Sequence, residues 1–339
     1  MEARAKMFFE SFVNGSADNF HSLPQSGSSR VNYVAGYRDK KYIVTENNNL
    51  PENESFLYFS RLFSELELPT PKILAVSKER TFYIQEYLGD VTLSERIAKE
   101  PQGSHRLKKW VHDTLFSLYT LQVKTQGRVD YARAFEYREY NEVPVLHDLF
   151  YFKFLFLDVL DIPYHKYSLI KEFQKLSVLV ENLGPKGIML RDFQSRNIIL
   201  DSKENIFFID YQSAMYGPLL YDVISFLFQS RAGFSQEFCD EMLAFYYSLW
   251  SDPQTVDSLK CSRSPLQLMR CIQVLGVYGF RGWVQKKNTF IQSIPQSIEN
   301  FIRLVEYWDE MKNFPEIFSL AEKLSSGKTK EKVNVLSKF

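Results

Sequence analysis

The chain is poor in cysteine. Three cysteines, Cys239, Cys261 and Cys271, serve 339 residues, and none forms a C-x-x-C pair. That argues against a disulfide framework and a zinc knuckle, and predicts reduced thiols in a cytoplasmic protein. Histidine is also scarce: His21, His105, His112, His147 and His165 show no H-x-x-x-H spacing, so no histidine-based metal site is expected. No charge of one sign dominates, with 41 basic and 41 acidic residues. A nucleic-acid backbone or an anionic membrane surface would call for a basic excess. Long apolar runs are missing too. The most apolar helical stretch, Leu146–Leu160, is interrupted by Asp148, Lys153 and Asp158, which suits an amphipathic core helix and not a bilayer span. The first twenty residues, MEARAKMFFESFVNGSADNF, are of mixed charge and do not read as a secretion signal.

What the chain does have is apolar and aromatic mass, 45% and 16% of its residues. It predicts a globular chain of one large domain or two lobes. Residues 29–35 and 41–46 alternate around Gly36 and Asp39 and read as a hairpin. A helix starts near Pro51–Asn53 and carries Phe56, Phe59, Leu62 and Phe63 at helical spacing. Two more strands flank a turn at Ser77–Arg80. Beyond Gly89 helical periodicity takes over, at 92–99, 104–124, 146–160 and 169–183. Short strands follow at 187–190, 198–200 and 206–209, the last two around the turn DSKEN. Helices resume at 219–229, 235–250, 265–279, 290–311 and 314–324, and the polar tail after residue 325 is expected to fray. The pattern predicts an α+β, bilobal fold. An antiparallel β lobe with one helix and a hinge occupies 1–88, a larger helical lobe 89–325, and a tail 326–339.

Three aspartates and an asparagine lie within apolar sequence at "GIMLRDFQSRNIILDSKENIFFIDYQSAMYGPLLYDVISFL". Buried carboxylates are costly unless something pairs with them. Asp192 and Asn197 are five residues apart, and Asp210 follows Asp192 by eighteen. This spacing matches the protein-kinase catalytic loop H-R-D-L-x-x-x-N followed by a metal-binding aspartate. The plainer reading is a hairpin with Asp and Asn at its turns.

The same residues resemble the aminoglycoside phosphotransferase and choline kinase superfamily more than protein kinases. "IDYQSAMYGPLLYDVISFL" is similar to that superfamily's I-D-[FWY]-x…G-P-x-x-Y-D pattern, with Leu190 where most members have His. "LRDFQSRN", "IDYQ" and "GVYGFRGWVQKKNTFIQSIP" resemble the branch of bacterial anomeric sugar kinases acting on N-acetylmuramate or N-acetylglucosamine. The likeness runs over roughly residues 20–325.

The resemblance implies a small-molecule kinase that uses ATP and Mg2+ between two lobes. Asp192 would be the base, Asn197 and Asp210 the metal ligands, and Asp222 a buried support of the catalytic loop. Arg196 would supply charge or support the loop. Ser26, Gly27, Ser28 and Arg30 would face phosphates, although each also fits an ordinary turn or a solvated strand. The main chain of Gln85, Glu86 and Tyr87 would meet the adenine as a hinge, or belong to the core. Gln212, Arg281 and Asp148 are candidates for the acceptor, a hydroxyl compound and most specifically a sugar.

One departure stands out. The third strand, KYIVTEN, offers Val44, Thr45 or Glu46 where kinases carry a lysine, and Lys41 comes early. A degenerate nucleotide sensor or scaffold is therefore an alternative, as is a kinase of choline, an amino alcohol or an aminoglycoside.

Overall fold

The seven-residue strands β2 (Val31–Tyr37) and β3 (Lys40–Glu46) form the expected hairpin, with Tyr33 opposite Val44 and Ala35 opposite Tyr42. The structure is a computed structural model that describes residues 2–24, 30–230 and 232–337. In chain order the first elements are α1 (Glu2–Val13), β1 (Asn19–Ser22), β2, β3, α2 (Leu50–Glu65), β4 (Ile73–Val76), β5 (Phe82–Glu86), β6 (Val91–Thr92), α3 (Leu93–Ile97) and α4 (His105–Thr125). The chain continues through α5 (Glu142–Phe152), α6 (Lys166–Glu181), β7 (Lys186–Met189), β8 (Ile198–Leu200), β9 (Ile206–Phe208), β10 (Met215–Pro218) and α7 (Leu220–Leu227). It closes with α8 (Gln236–Ser248), α9 (Pro253–Tyr278), α10 (Asn288–Ile291), α11 (Ile294–Tyr307), α12 (Pro315–Ser325) and α13 (Gly327–Leu336).

Two compact units divide the chain. Residues 1–138 and 190–215 form one, and residues 139–189 and 216–339 the other. The fold is α+β, with an antiparallel sheet in the first unit and a larger helical part.

In the first unit the sheet order is β1-β2-β3-β5-β4, every pair antiparallel. One face buries Tyr33, Ala35, Val44, Phe82 and Ile84 against Ala5 and Phe9 of α1. This helix was not anticipated: only Ala5 and Phe9 of its twelve residues are buried, so its apolar stripe is thin. The helix α2 starts where expected. Asn49 caps it by accepting from the Glu52 N–H, and Pro51 stands in its first turn. Its apolar row Phe56, Phe59, Leu62 and Phe63 is buried.

A second sheet, β6-β8-β9, also lies in the first unit. Gly89 takes φ +132°, which only glycine adopts readily, to turn the chain from β5 into β6. The DSKEN turn is closed by Asp201, whose Oδ1 accepts from the N–H groups of Lys203 (2.8 Å) and Asn205 (2.9 Å). β7 pairs with β10 in a separate two-stranded sheet. The irregular segment between β7 and β8, with left-handed Arg191 (φ +68°), is no hairpin turn.

In the second unit three expectations need correction. The tail is helical, with Ser326 capping α13 through the Thr329 N–H. Its polar composition hid a helix that buries only Thr329 and Val333. The helix expected from Pro265 begins at Pro253 and runs through Pro265, which lies inside it. Proline there removes one helical hydrogen bond, and the buried side chains Leu266, Leu268, Met269 and Ile272 offset the loss. The stretch 290–311 breaks into α10 and α11, with Pro295 in the first turn of the latter. Among the described residues no helix is long and apolar enough to cross a membrane.

Candidate active site

The expected base, metal ligands and phosphate-facing arginine all belong to the first unit. Strand β8 and a short 3-10 turn at Ser195–Asn197 bring Asn197 back beside Asp192. The Asn197 Nδ2 donates to the main-chain oxygen of Asp192 at 2.9 Å and to Oδ2 of Asp210 at 3.3 Å. The Ile209 N–H bonds to the Asn197 carbonyl at 3.0 Å and so ties the end of β9 to the catalytic loop. Spacing that is five and eighteen residues in sequence thus converges on one cluster.

Two residues of this cluster take left-handed backbone, Arg191 (φ +68°) and Asp210 (φ +64°). Asp tolerates that region through its short polar side chain, but arginine there is strained. The Asp192 carboxylate, half-buried, accepts from Gln194 Nε2 at 2.7 Å and pairs with Arg196 at 3.1 Å. Arg196 therefore touches the Asp192 carboxylate directly.

Arg30 reaches the cluster from the start of β2. Its Nη2 pairs with Asp210 Oδ1, its Nη1 donates to Gln212 Oε1 at 3.1 Å, and its Nε lies 3.3 Å from Glu52 Oε1. Burial alone would lower the Arg30 pKa; the Asp210 and Glu52 carboxylates outweigh it and raise it. Gln212, expected at the acceptor, has its amide between Arg30 and Asp210, with Nε2 3.2 Å from Asp210 Oδ1. Ser26, Gly27 and Ser28 lie outside the described residues.

Helix α2 clamps the segment behind Asp210, a support that sequence reading missed. Tyr211 is almost fully buried, stacks on Phe56 at 5.0 Å and meets Ser60 Oγ at 2.8 Å through its hydroxyl. Ser55 Oγ donates to the Gln212 carbonyl at 2.8 Å. The i, i+4 row of small hydroxyl and aromatic residues in α2 was its only sequence signal.

At the hinge, Gln85 and Glu86 are the last residues of β5, and the Glu86 N–H is bonded to the Lys72 carbonyl at 3.0 Å. The chain leaves the sheet at Tyr87. Lys41 sits here: its Nζ is 3.8 Å from Asp90 Oδ2 and 5.1 Å from the centroid of the Tyr87 ring. Strand position thus sends Lys41 to Tyr87 and Asp90, beyond β5.

The remaining candidates lie in the second unit. Asp148, buried in α5, accepts from the Tyr140 hydroxyl at 3.2 Å. Arg281 lies in a π-helical segment, Gly279–Val284, and donates to Gln285 Oε1 at 2.8 Å. Burial pushes the Tyr151 hydroxyl pKa up, and the Arg281 charge draws it partly back. Asp222 is fully buried in the first turn of α7.

A carboxylate cluster reached by an arginine, behind an antiparallel sheet, is the equipment of phosphoryl transfer. Residues 22–258 match the family model of the APH phosphotransferase enzymes, and the chain belongs to this phosphotransferase enzyme family. It is a small-molecule phosphotransferase.

Among curated proteins it is similar to the N-acetylmuramate/N-acetylglucosamine kinase of Neisseria meningitidis serogroup B (strain ATCC BAA-335 / MC58). The two are 24% identical over 263 residues, 74% of either chain. Among solved structures it resembles the choline kinase LicA from Streptococcus pneumoniae, with TM-score 0.56 and 16% identity over 91% of this chain and 99% of that one. It also resembles the gentamicin–APH(2")-IIa complex, with TM-score 0.60 and 15% identity over 89% and 98%. A thermostable mutant of aminoglycoside phosphotransferase APH(4)-Ia, solved with ADP and hygromycin B, superposes with TM-score 0.55 at 14% identity over 87% and 97%. These structural likenesses define a protein-kinase-like fold.

Proposed function

We propose that this protein transfers the γ-phosphate of ATP, with Mg2+, to the anomeric hydroxyl of an amino sugar such as N-acetylmuramate or N-acetylglucosamine. The observation that carries the reaction type is the Asn197 amide, which links the catalytic-loop main chain at Asp192 to the Asp210 carboxylate. The sugar assignment is supported by the named activity of the Neisseria relative.

The donor atoms suit magnesium. It favours hard oxygens and commonly takes one or two carboxylates together with phosphate oxygens. Asp210 offers the carboxylate, and Asn197 an amide whose nitrogen side is already committed to Asp192 and Asp210. When bound, the ion neutralises phosphate charge and orients the transferred group. Asp192 accepts the proton of the acceptor hydroxyl as its oxygen attacks phosphorus in line. Gln194 and Arg196 hold the Asp192 carboxylate in place. The main chain of Gln85, Glu86 and Tyr87 would receive the adenine. Asp148 and Arg281 are our assignment for the acceptor, and Asp222 for structural support.

The test is ATP consumption with magnesium against N-acetylmuramate, N-acetylglucosamine, glucose, galactose, choline and kanamycin, with phosphorus NMR on any product. An acid-labile sugar 1-phosphate is the expected product. Turnover of choline or kanamycin alone would overturn the sugar assignment and would favour the buried Asp148 carboxylate as the contact of a cationic acceptor.

A further inference from the structure

Strand β3 has no lysine where kinase folds place one. On the register of β3 with β5, Thr45 stands opposite Tyr83, and Thr45 Oγ1 donates to Asn32 Oδ1 at 2.8 Å. The Tyr83 hydroxyl interacts with both Thr45 and Arg30. The Arg30 guanidinium therefore stands within a side chain's length of the position the lysine would have served, approaching it from the neighbouring strand.

Each part of the Arg30 fork has its own partner: Nε faces Glu52, Nη1 faces Gln212 and Nη2 faces Asp210. Glu52 is held in turn. It lies buried in the first turn of α2, and Asn47 Nδ2 donates to its Oε2 at 3.0 Å. Asn47 is locked to Asn53, which returns a bond to the Asn47 carbonyl at 2.8 Å. A buried polar chain thus runs from α2 to the Arg30 Nε and leaves Nη1 on Gln212 and Nη2 on Asp210.

We propose that Arg30 supplies the phosphate-contacting charge that β3 lacks, that Glu52 is the positioning residue that aims it, and that Arg30 competes with a metal ion for Asp210. The inference rests on the kinase reading above. Arginine is always charged, and its planar fork matches phosphate oxygens. Arg30 already pairs with Oδ1 of Asp210, and a metal ion would draw on the same carboxylate. A metal ion binding alone must break the Arg30–Asp210 pair with nothing in return. When nucleotide is bound as well, its phosphate oxygens would replace Asp210 as the partner of the Arg30 fork, while Glu52 keeps Nε in place. Metal and nucleotide affinities are then coupled, each raising the other.

The competition gives opposite signs for two affinities. Binding of Mn2+ alone would be followed by electron paramagnetic resonance, and binding of ADP with Mg2+ and of adenosine by calorimetry, all on the full chain. Arg30→Gln is expected to weaken ADP by about tenfold or more, the worth of a charge-assisted bond. The same variant should bind Mn2+ alone more tightly and adenosine within about twofold of the wild type. Arg30→Lys, which keeps the charge, should lose less ADP affinity. Glu52→Gln should weaken ADP on its own and add nothing to Arg30→Gln in the double variant.

If Mn2+ and ADP affinities fell together, Arg30 would be a structural residue and the proposal would be wrong. An unchanged Mn2+ affinity would remove the competition, and a fully additive Glu52→Gln would remove the positioning role. If the wild type bound ADP and Arg30→Gln changed neither affinity, the inference alone would fail. If the wild type bound no nucleotide, the kinase reading would fail with it.

Discussion

Gly279 lies directly against the main chain of Leu155, so close that a methyl group on it would run into the Leu155 carbonyl oxygen. Three residues earlier, a methyl on Gly276 would stand 2.8 Å from the Phe152 nitrogen. Both contacts join α9 and the following π-helical segment to α5 and its own π-helical continuation, Lys153–Leu157. The glycines of GVYGFRG thus permit two backbones to touch. Gly279→Ala should destabilise the protein by about 1–3 kcal/mol or more, since backbone cannot move aside as a side chain can. Chemical denaturation checks this; a midpoint within error of the wild type would contradict it.

Glu172 caps a helix it does not belong to. Its carboxylate accepts from the N–H groups of Glu316 and Ile317, each at 2.8 Å, in the first turn of α12. Phe314, at the cap position, offers no side-chain acceptor. Glu172→Ala should cost about 1–3 kcal/mol, because two buried donors lose their partner. Glu172→Gln, which keeps one acceptor oxygen, should lose less. Equal losses would show that the charge and not the acceptor count matters.

The three cysteines should differ sharply in reactivity. Burial pushes the thiols of Cys239 and Cys271 up to about 12. The thiolate is the reactive form, so a raised pKa keeps both protonated at pH 8. Cys261 is exposed. A thiol reagent at pH 8 should label Cys261 quickly in the native protein and all three after denaturation. Fast labelling of all three in the native protein would contradict the packing around α8 and α9.

Asp210→Ala removes the carboxylate that Asn197, Arg30 and Gln212 all address. Magnesium-dependent nucleotide binding should be lost. Unchanged affinity for ATP with Mg2+ would take Asp210 out of the metal site.

The parts of the site set by local spacing were legible in the sequence. Asp192, Asn197 and Asp210 sit on a loop and hairpin whose lengths fix their meeting, and the DSKEN turn announces that hairpin. The apolar row of α2 was equally plain. The pairing of Arg30 with Asp210 was not, because 180 residues separate them. Only the folded sheet shows that Thr45 and Arg30 meet at one tyrosine hydroxyl. Helix α1 and helix α13 escaped for another reason: each buries two residues, too few for a periodic signal. Pro265 misled because proline marks helix starts more often than interiors.

The most direct test of the account is Asp192→Asn, measured for nucleotide affinity and turnover together. The side chain keeps its shape but cannot take a proton. The dissociation constant for ATP with Mg2+ should stay within about twofold to threefold, while kcat falls by about 10²–10⁴ with the reacting acceptor. A variant that keeps full turnover would remove Asp192 from the chemistry and contradict the catalytic assignment made here.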